Sequence, residues 1–406
     1  MLSNWLMLLG VSLVAVVGWL LLTRRLTRPA WLLLGVLLLV ELVLAALSQR
    51  NWPLEYRLVP WFIDMISEER NLPATLSASL LALVGVFGLY HARGLLKRWA
   101  WPNAFWLLFG LVFLILGFDE YSEIHEFIRY WKYYYGAAGI LLVVVTVVAF
   151  RRYWPEQWLV LALIIGGMAL MASGGMVIEE IVIYRGCFGV TIIDCLRLQI
   201  FEELFEIAGT TLVLTGAVEH ALRGAEPAQR RQVARFAVLG ALVWGVVIAA
   251  YQFGLPAAQA RWMATPVSVQ YLNGDLELVA YRLPDGPITP DSGSLPVTLY
   301  WRANRRLHDE YGISAHLEEF PDLVNVTQID GPMTAPPATA WLPGQIVPQV
   351  VEIPIPPDIE PRDYWLLLTI WTRPWYDFNY VEITQADREL LGSTTVILHT
   401  VHIAPR

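Results

Sequence analysis

Long apolar segments separated by short polar joints fill the first 255 residues of the chain. A helix needs about 20 predominantly apolar residues to cross a bilayer, with about 17 as the lower limit. The fourth and fifth segments are shorter than this, so they span only if their helices continue into neighbouring polar residues. The pattern predicts eight transmembrane helices, at Trp5–Thr23, Trp31–Ser48, Pro73–Tyr90, Ala104–Phe118, Gly136–Phe150, Trp158–Ile178, Ile200–Val218 and Arg235–Gly254.

From Arg261 onward the pattern changes to short alternating segments separated by turn sequences such as Asn273-Gly274 and Asp330-Gly331-Pro332. About eight strands without helical periodicity are typical of an antiparallel β-sandwich. The strands are predicted at Val267–Tyr271, Leu276–Tyr281, Val297–Trp301, Gly312–Leu317, Val324–Ile329, Val350–Ile355, Tyr364–Trp371 and Thr394–Ile403. We therefore predict a polytopic α-helical membrane bundle over residues 1–255, a linker over 256–265 and a C-terminal β-sandwich domain over 266–406.

The distribution of arginine and lysine predicts the orientation of the bundle, because positively charged joints stay in the cytoplasm. The joints after the odd-numbered segments hold 12 positive charges, and the alternate joints hold seven. In the first segment the positive charges follow the apolar residues and no small-residue cleavage site is present, so we interpret it as a retained helix. Both termini and the sandwich are therefore predicted to lie outside the cytoplasm.

The net charge of the C-terminal domain excludes some classes of binding partner. Residues 261–406 contain 9 arginines and 18 acidic residues, for a net charge of −9. Such an acidic domain argues against binding to nucleic acid or to anionic lipid. The predicted partners are the lipid bilayer for the helices and, as a possibility, another membrane or envelope protein for the sandwich.

The two cysteines, Cys187 and Cys195, both lie in the joint after the sixth segment. The predicted topology puts this joint outside the cytoplasm, where a disulfide persists. We therefore predict that the two residues are bonded, against the alternative of two unpaired thiols.

Acidic residues collect at the predicted extracytoplasmic end of the bundle. They end the fourth and sixth segments, begin the seventh, and are accompanied by one histidine. Glu41 lies in the outward half of the second segment, and Glu156, Glu219 and Glu226 lie on or near the opposite side. The candidate site comprises Asp119, Glu120, Glu123, His125, Glu126, Glu179, Glu180, Glu202, Glu203 and Glu206.

Helical spacing would bring some of these side chains together, since residues at i, i+4 and i+7 share a face. Asp119, Glu123 and Glu126 have this spacing if the fourth helix continues, and Glu202 and Glu206 are an i, i+4 pair. Carboxylates and one imidazole from several helices suit a divalent metal ion. They equally suit a proton relay or a cation entry site.

A purely structural interpretation competes with these functions. The helix dipole favours acids at a helix N-terminus, as for Glu202 and Glu203, and disfavours them by about 0.3–1 kcal/mol near a C-terminus, as for Asp119 and Glu179. Either the helices continue further or a cation compensates. The candidates for this cation are Arg129, Lys132, Arg185 and a divalent metal ion. Three interpretations of the acids stay open: a functional cluster, structural ion pairs or solvated helix ends.

Two further stretches are predicted to have structural roles. The aromatic run Tyr130, Trp131, Tyr133, Tyr134 and Tyr135 is typical of an interfacial belt. The small residues of Gly166-Gly167 and Ser173-Gly174-Gly175 permit close packing of helices.

Two motifs carry a resemblance to known proteins. Asp119-Glu120, four residues and His125-Glu126, followed by Glu202-Glu203, Glu206 and Gly209, resemble a pattern of uncharacterised bacterial multi-span membrane proteins. The resemblance implies that these acids and His125 form one unit in a bacterial cytoplasmic membrane protein, and it implies no activity. Val297–Ala303 and Thr339–Gly344 are similar to a β-sandwich module at the ends of other bacterial membrane proteins.

Three functions follow as hypotheses. The first is a membrane protein that uses the outer carboxylate and histidine cluster to handle protons or a divalent metal. The second is a non-catalytic anchor or accessory subunit that displays the sandwich. The third is a proton- or cation-coupled transporter, which needs polar groups along a path through the membrane.

Overall fold

The computed structural model of the chain describes residues 26–48, 72–93, 101–122, 124–128, 130–151, 156–178, 192–319, 324–333, 337–372 and 379–405. The chain divides into two compact units, Met1–Gly245 and Val246–Arg406. The first predicted segment, Trp5–Thr23, lies outside the described residues.

Apolar helices dominate the N-terminal part of the described chain. The helices are α1 (Arg28–Ser48), α2 (Leu72–Ala92), α3 (Trp101–Ser122), α4 (Trp131–Phe150), α5 (Trp158–Ala172), α6 (Ile192–Leu222), α7 (Pro227–Ala249) and α8 (Leu255–Trp262). A one-turn 3-10 helix, Ile124–Phe127, follows α3, and π-helical turns follow α5 and α7, at Ser173–Ile178 and Ala250–Gly254.

Six stretches in the described residues are long and apolar enough to cross a membrane, as in an integral membrane protein. They correspond to the second to sixth and the eighth predicted segments. The helices of the fourth and fifth predicted segments, α3 and α4, extend into flanking polar residues, as these short apolar runs need in order to cross a bilayer. The six are Arg28–Ser48, Leu72–Ala92, Asn103–Ser122, Trp131–Phe150, Trp158–Ile178 and Pro227–Trp262.

The seventh predicted segment forms α6, a helix of 31 residues. It is not one of the six apolar spans, because acidic residues such as Glu206 and Glu219 lower its hydropathy. It nevertheless packs against α1, α2 and α5, and Val213 and Ala217 on it have no exposed surface. A polar helix is thus enclosed by apolar ones.

Glycines bring α5 and α6 into close contact. A Cβ atom on Gly167 would lie 2.5 Å from the carbonyl oxygen of Gly209, and one on Gly174 would lie 2.6 Å from the carbonyl oxygen of Glu202. The predicted role of the small residues is confirmed at these positions. Gly166 is different, because a Cβ atom there would meet nothing within 4 Å.

The C-terminal part of the chain is an antiparallel β domain. The strands are β1 (Thr265–Tyr271), β2 (Leu276–Arg282), β3 (Ser294–Ala303), β4 (Tyr311–Glu319), β5 (Val324–Pro332), β6 (Ile346–Pro354), β7 (Asp363–Thr372), β8 (Asn379–Tyr380), β9 (Ile383–Ala386), β10 (Leu390–Leu391) and β11 (Thr395–His402). One sheet has the strand order β6-β3-β2-β1-β9, and the other has the order β10-β11-β7-β4-β5, with β8 paired to β7.

The two sheets share one hydrophobic core, as in a sandwich. Strands overlap all eight predicted segments, and the short β8, β9 and β10 were not predicted. Trp301, Trp341 and Trp371 are buried, as expected for core residues. The Trp371 ring lies over Gly312 of the neighbouring strand β4, where a Cβ atom would clash with it.

Helix α8 occupies most of the predicted linker. It runs from Leu255 to Trp262, and β1 begins at Thr265. Ala260 packs with Ala280 and Tyr300, so this helix contributes to the hydrophobic packing of the β domain.

The glycine contacts predict opposite effects for two adjacent substitutions. Gly167→Ala should destabilise the bundle by about 1–3 kcal/mol, because the added methyl group overpacks the α5–α6 contact. Gly166→Ala should leave stability unchanged or raise it by up to about 1 kcal/mol, because alanine favours the helix and the site is open. Thermal unfolding of the detergent-purified variants measures both. Equal melting temperatures for the two variants would contradict the close contact at Gly167.

Candidate functional site

Asp119 organises the turn between α3 and α4. The residue is 7% exposed, and its Oδ1 accepts a hydrogen bond from the backbone N–H of His125 at 2.9 Å. Its Oδ2 lies 3.0 Å from Nδ1 of His125 and accepts a hydrogen bond from the hydroxyl of Tyr135 at 2.7 Å. One carboxylate therefore joins the end of α3, the following turn and the start of α4.

The chain leaves the α-helix at Ser122, and this corrects one expectation. A 3-10 turn, Ile124–Phe127, replaces the continued helix, so the α-helical spacing of Asp119, Glu123 and Glu126 does not apply. The turn brings the His125 N–H back to Asp119, so this N–H finds its partner in a side chain rather than in the α-helical ladder. Glu123 and the side chain of Glu126 lie outside the described residues.

The contact with Asp119 defines the chemistry of His125. A carboxylate at Nδ1 holds the proton on that nitrogen, which leaves the lone pair of the neutral ring on Nε2. The ring packs against Trp131, with 4.7 Å between the ring centroids. An imidazole oriented in this way can bind a proton or a metal ion through Nε2.

A second group of acids comprises Glu120 on α3 and Glu202 and Glu203 on α6. Helix α2 packs against both of these helices, and its Ser77 interacts with Glu120. The Glu203 carboxyl interacts electrostatically with Glu120 and Glu202, and Glu120 interacts with Asp119 and His125. This interaction links one residue of each predicted motif.

The remaining predicted residues divide between described and undescribed parts of the chain. Glu206 packs against the π-helical end of α5, where the missing side chains of Gly174 and Gly175 leave room for it. Glu179 and Glu180, and the candidate cations Arg129 and Arg185, lie outside the described residues. Across the described ranges, no group of three or more histidine, cysteine or acidic residues is placed to hold a metal ion.

The disulfide between Cys187 and Cys195 stays a prediction. Cys187 lies outside the described residues. Cys195 lies on α6, in a stretch whose side chains are likewise not described.

Several polar contacts were not predicted from the sequence. Tyr135 was assigned to an aromatic belt, which suits the exposed Tyr133 and Tyr134, but its hydroxyl binds Asp119. Its position four residues after Trp131, on the same helix face as the residue that packs on His125, was a usable signal. No sequence signal singled out Ser77.

Glu41 is fully buried within α1, and it contacts α6. The hydroxyl of Thr211 donates a short hydrogen bond to Oε1 of Glu41. The other oxygen, Oε2, has no hydrogen-bond partner among the described residues. Within that part of the chain, one hydroxyl is thus the only hydrogen-bond donor to this carboxyl.

Glu219, near the other end of α6, is also fully buried but is well paired. Its Oε2 accepts hydrogen bonds from the backbone N–H and the hydroxyl of Thr27, both at 2.8 Å. Its Oε1 lies 3.1 Å from Nε of Arg223. Arg223 and Thr27 therefore provide partners for both oxygens of this buried carboxyl.

A small cavity lies beside this end of the bundle. It measures about 160 Å³ and is lined by His91, Asn103, Phe105, Trp106, Ala149, Phe150 and His220. The His220 ring stacks on Trp106 with 5.1 Å between centroids, and its Nδ1 has no hydrogen-bond partner. His91 approaches the carbonyl oxygen of Ala217 at 3.3 Å.

The fold and the site together define a helical membrane protein with buried carboxyl groups and a C-terminal antiparallel β domain. Residues 35–221 match the model of a domain of unknown function, DUF8692. The matched region runs from α1 almost to the end of α6 and therefore includes Glu41, Asp119, His125, Glu203 and Glu219. No curated protein matches the chain significantly.

The hydrogen bond between Tyr135 and Asp119 predicts a difference between two neighbouring tyrosines. Tyr135→Phe should destabilise the protein by about 1–3 kcal/mol, because it removes a donor from a buried carboxylate. Tyr134→Phe is the matched control, since Tyr134 is 63% exposed. Thermal unfolding in detergent compares them, and a Tyr134→Phe effect as large as that of Tyr135→Phe would contradict the assigned contact.

Proposed function

We propose that the chain is an integral membrane protein that handles protons at a carboxylate–imidazole site at the extracytoplasmic end of its helix bundle. The site comprises Asp119, Glu120, His125 and Glu203. The observation that carries the proposal is the contact of Asp119 with His125, 3.0 Å between Oδ2 and Nδ1, at the end of the helix that also carries Glu120. Glu203 on α6 interacts electrostatically with Glu120.

Electrostatics favours a shared proton at Glu120 and Glu203 over two charged carboxylates. Two like charges in a partly buried site repel, so one of the two carboxyls holds a proton. The side chain of Ser77 interacts with Glu120, and among the described residues His125 is the basic group that acts on this carboxyl. His125, with its Nε2 lone pair, supplies a base near Glu120 that can exchange this proton.

A divalent metal ion is the alternative occupant of the same site. Its support is the Asp119–His125 contact, since a carboxylate commonly orients a metal-binding histidine. Both oxygens of Asp119 are already engaged, by the N–H groups of His125 and the hydroxyl of Tyr135. The Glu120–Glu203 pair would then have to supply the oxygen ligands of a metal ion, whereas a proton requires no further ligand.

Infrared spectroscopy of the purified, reconstituted protein tests the proton assignment. Protonated carboxyl groups give a separate carbonyl stretching band, and we expect such a band at neutral pH. Glu203→Gln should remove part of it, because the remaining Glu120 then loses its repelling neighbour and ionises. Glu226→Gln is the control, since Glu226 is exposed in the loop before α7.

The outcomes separate the two occupants. A band unchanged by Glu203→Gln and Glu120→Gln would contradict the shared proton. A stoichiometric divalent metal in the wild-type protein that is lost in His125→Ala, by elemental analysis, would replace the proton with the metal. If neither is found, the second hypothesis stands, an anchor or accessory subunit that displays the β-sandwich to an envelope protein.

The proposal includes an orientation in the bacterial cytoplasmic membrane. The charge asymmetry of 12 to seven between alternate joints supports eight spans with both termini outside the cytoplasm. The resemblance to multi-span proteins with the same two motifs supports treating those motifs as one unit. A reporter that is active only outside the cytoplasm, fused after Arg406, should be active. Activity of a cytoplasm-specific reporter at the same position would overturn the orientation.

A further inference from the structure

Carboxyl groups contact α6 at three levels along its length. Glu203 lies near Glu120 at one level, Thr211 binds Glu41 at the next, and Glu219 binds Thr27 at the third. These α6 residues are eight positions apart, which corresponds to about 12 Å per interval and about 24 Å in total. The hydrocarbon core of a bilayer is about 30 Å thick, so the three levels cover most of it.

Glu41 is the middle level, and its surroundings do not support a permanent charge. Among the described residues, it is 0% exposed, receives one hydrogen bond from Thr211, and has no partner at Oε2. An unpaired carboxylate in such a place is costly, whereas a neutral carboxylic acid is tolerated. These surroundings favour a protonated Glu41 over a charged one.

The hydroxyl of Thr211 is used differently from other buried hydroxyls of the bundle. Thr146, Thr210 and Thr215 each donate to the carbonyl oxygen four residues earlier in the same helix, at 2.7–2.9 Å. This is the ordinary way to bury a threonine in an apolar helix. Thr211 instead donates across the helix contact to Glu41.

Further polar groups lie between the three levels. Thr215, four residues from both Thr211 and Glu219, is 0% exposed, and Thr210 is equally buried one residue before Thr211. Each lies about 6 Å or less along the helix axis from the next polar residue of α6, because one residue rises about 1.5 Å. Glu206 lies between Glu203 and Thr210, so polar side chains follow α6 from one end to the other.

We propose that α6 and Glu41 form a proton path through the bundle, from the Glu120–Glu203 pair through Glu41 to Glu219. The proposal rests on the proposed function at its first step, since that pair is the outer proton donor. In each transfer an O–H bond breaks on the donor carboxyl and another forms on the acceptor carboxylate, so no electrons are exchanged. The outer pair is reprotonated from water on its side of the membrane, and Glu219 releases its proton to water at the opposite end, so one positive charge crosses for each proton.

Proton flux into liposomes tests the path. The full-length protein is reconstituted with a pH-sensitive dye inside, and a potassium diffusion potential drives protons inward. The wild-type protein should conduct above protein-free liposomes, and Glu41→Gln should lose this flux. Glutamine keeps an oxygen that can accept the Thr211 hydrogen bond, so the fold should be retained, which a melting temperature verifies.

A pair of threonine variants provides the matched control. Thr211→Val removes the one hydroxyl that contacts Glu41 and should reduce the flux. Thr146→Val removes a hydroxyl that is equally buried but bonds only within its own helix. It should leave the flux unchanged.

Chemical labelling reports on Glu41 independently of flux. Dicyclohexylcarbodiimide enters the bilayer and adds to protonated carboxyl groups, and mass spectrometry of the peptide that contains Glu41 detects the adduct. We expect labelling in the wild-type protein and its loss in Glu41→Gln. Labelling should also block the flux.

The outcomes are separable from those for the outer site. Flux lost in Glu41→Gln with the infrared band of Glu120 and Glu203 intact supports the path. Absence of flux in the wild-type protein, or an unchanged flux in a folded Glu41→Gln variant, overturns the path without affecting the outer site. Glu41 that stays unlabelled in intact membranes also overturns it. Loss of the band with the flux retained overturns the outer site as the donor.

Discussion

Buried acids cannot be left without partners in a low-dielectric environment, and this constraint governs the arrangement of the helix bundle. Helix α6 carries acids and hydroxyls that lipid cannot solvate. Helices α1, α2 and α5 cover it, and residues in or next to α1 and α5 meet its polar side chains. Thr27 binds Glu219, Glu41 binds Thr211, and the glycines of α5 make room for Glu206. The apolar helices therefore shield the acids and hydroxyls of α6 from lipid.

Hydrophobic periodicity was sufficient to find the elements, because length and apolarity directly determine whether a helix can cross a bilayer. The second to sixth and the eighth predicted segments are apolar helices, and all eight predicted strands are present. The end of α3 was less predictable. The shared face of Asp119, Glu123 and Glu126 depended on the fourth segment continuing as a helix, but the Asp119 carboxylate accepts the N–H of His125 and stabilises a turn instead. Competition between a side chain and the helical hydrogen-bond ladder is not visible in a hydropathy profile.

The acids of the site were identified from sequence, but their partners were not. Asp119, Glu120, His125 and Glu203 were grouped because membrane topology assigns these residues to one end of the bundle, and the structure shows the contact between Asp119 and His125. Ser77 and Tyr135 are common residue types with no distinguishing spacing, and only the packing of α2 and α4 brings them to the acids. Thr211 is one of three buried threonines within six residues, and only the position of α1 distinguishes it from Thr210 and Thr215.

The π-helical turn at Ser173–Ile178 has a consequence for how the bundle tolerates changes in chain length. A π-helical turn accommodates one more residue than the α-helix around it, so it is equivalent to an insertion absorbed within a helix. Removal of one residue from this segment would let α5 continue as a regular α-helix and rotate everything beyond it by about 100°, given 3.6 residues per turn. Gly174 and Gly175 would then turn away from Glu202 and Glu206, and bulkier side chains would face α6 in their place. A single-codon deletion here would thus act at a distance, by changing which helix face meets the acids, although no acid had been altered.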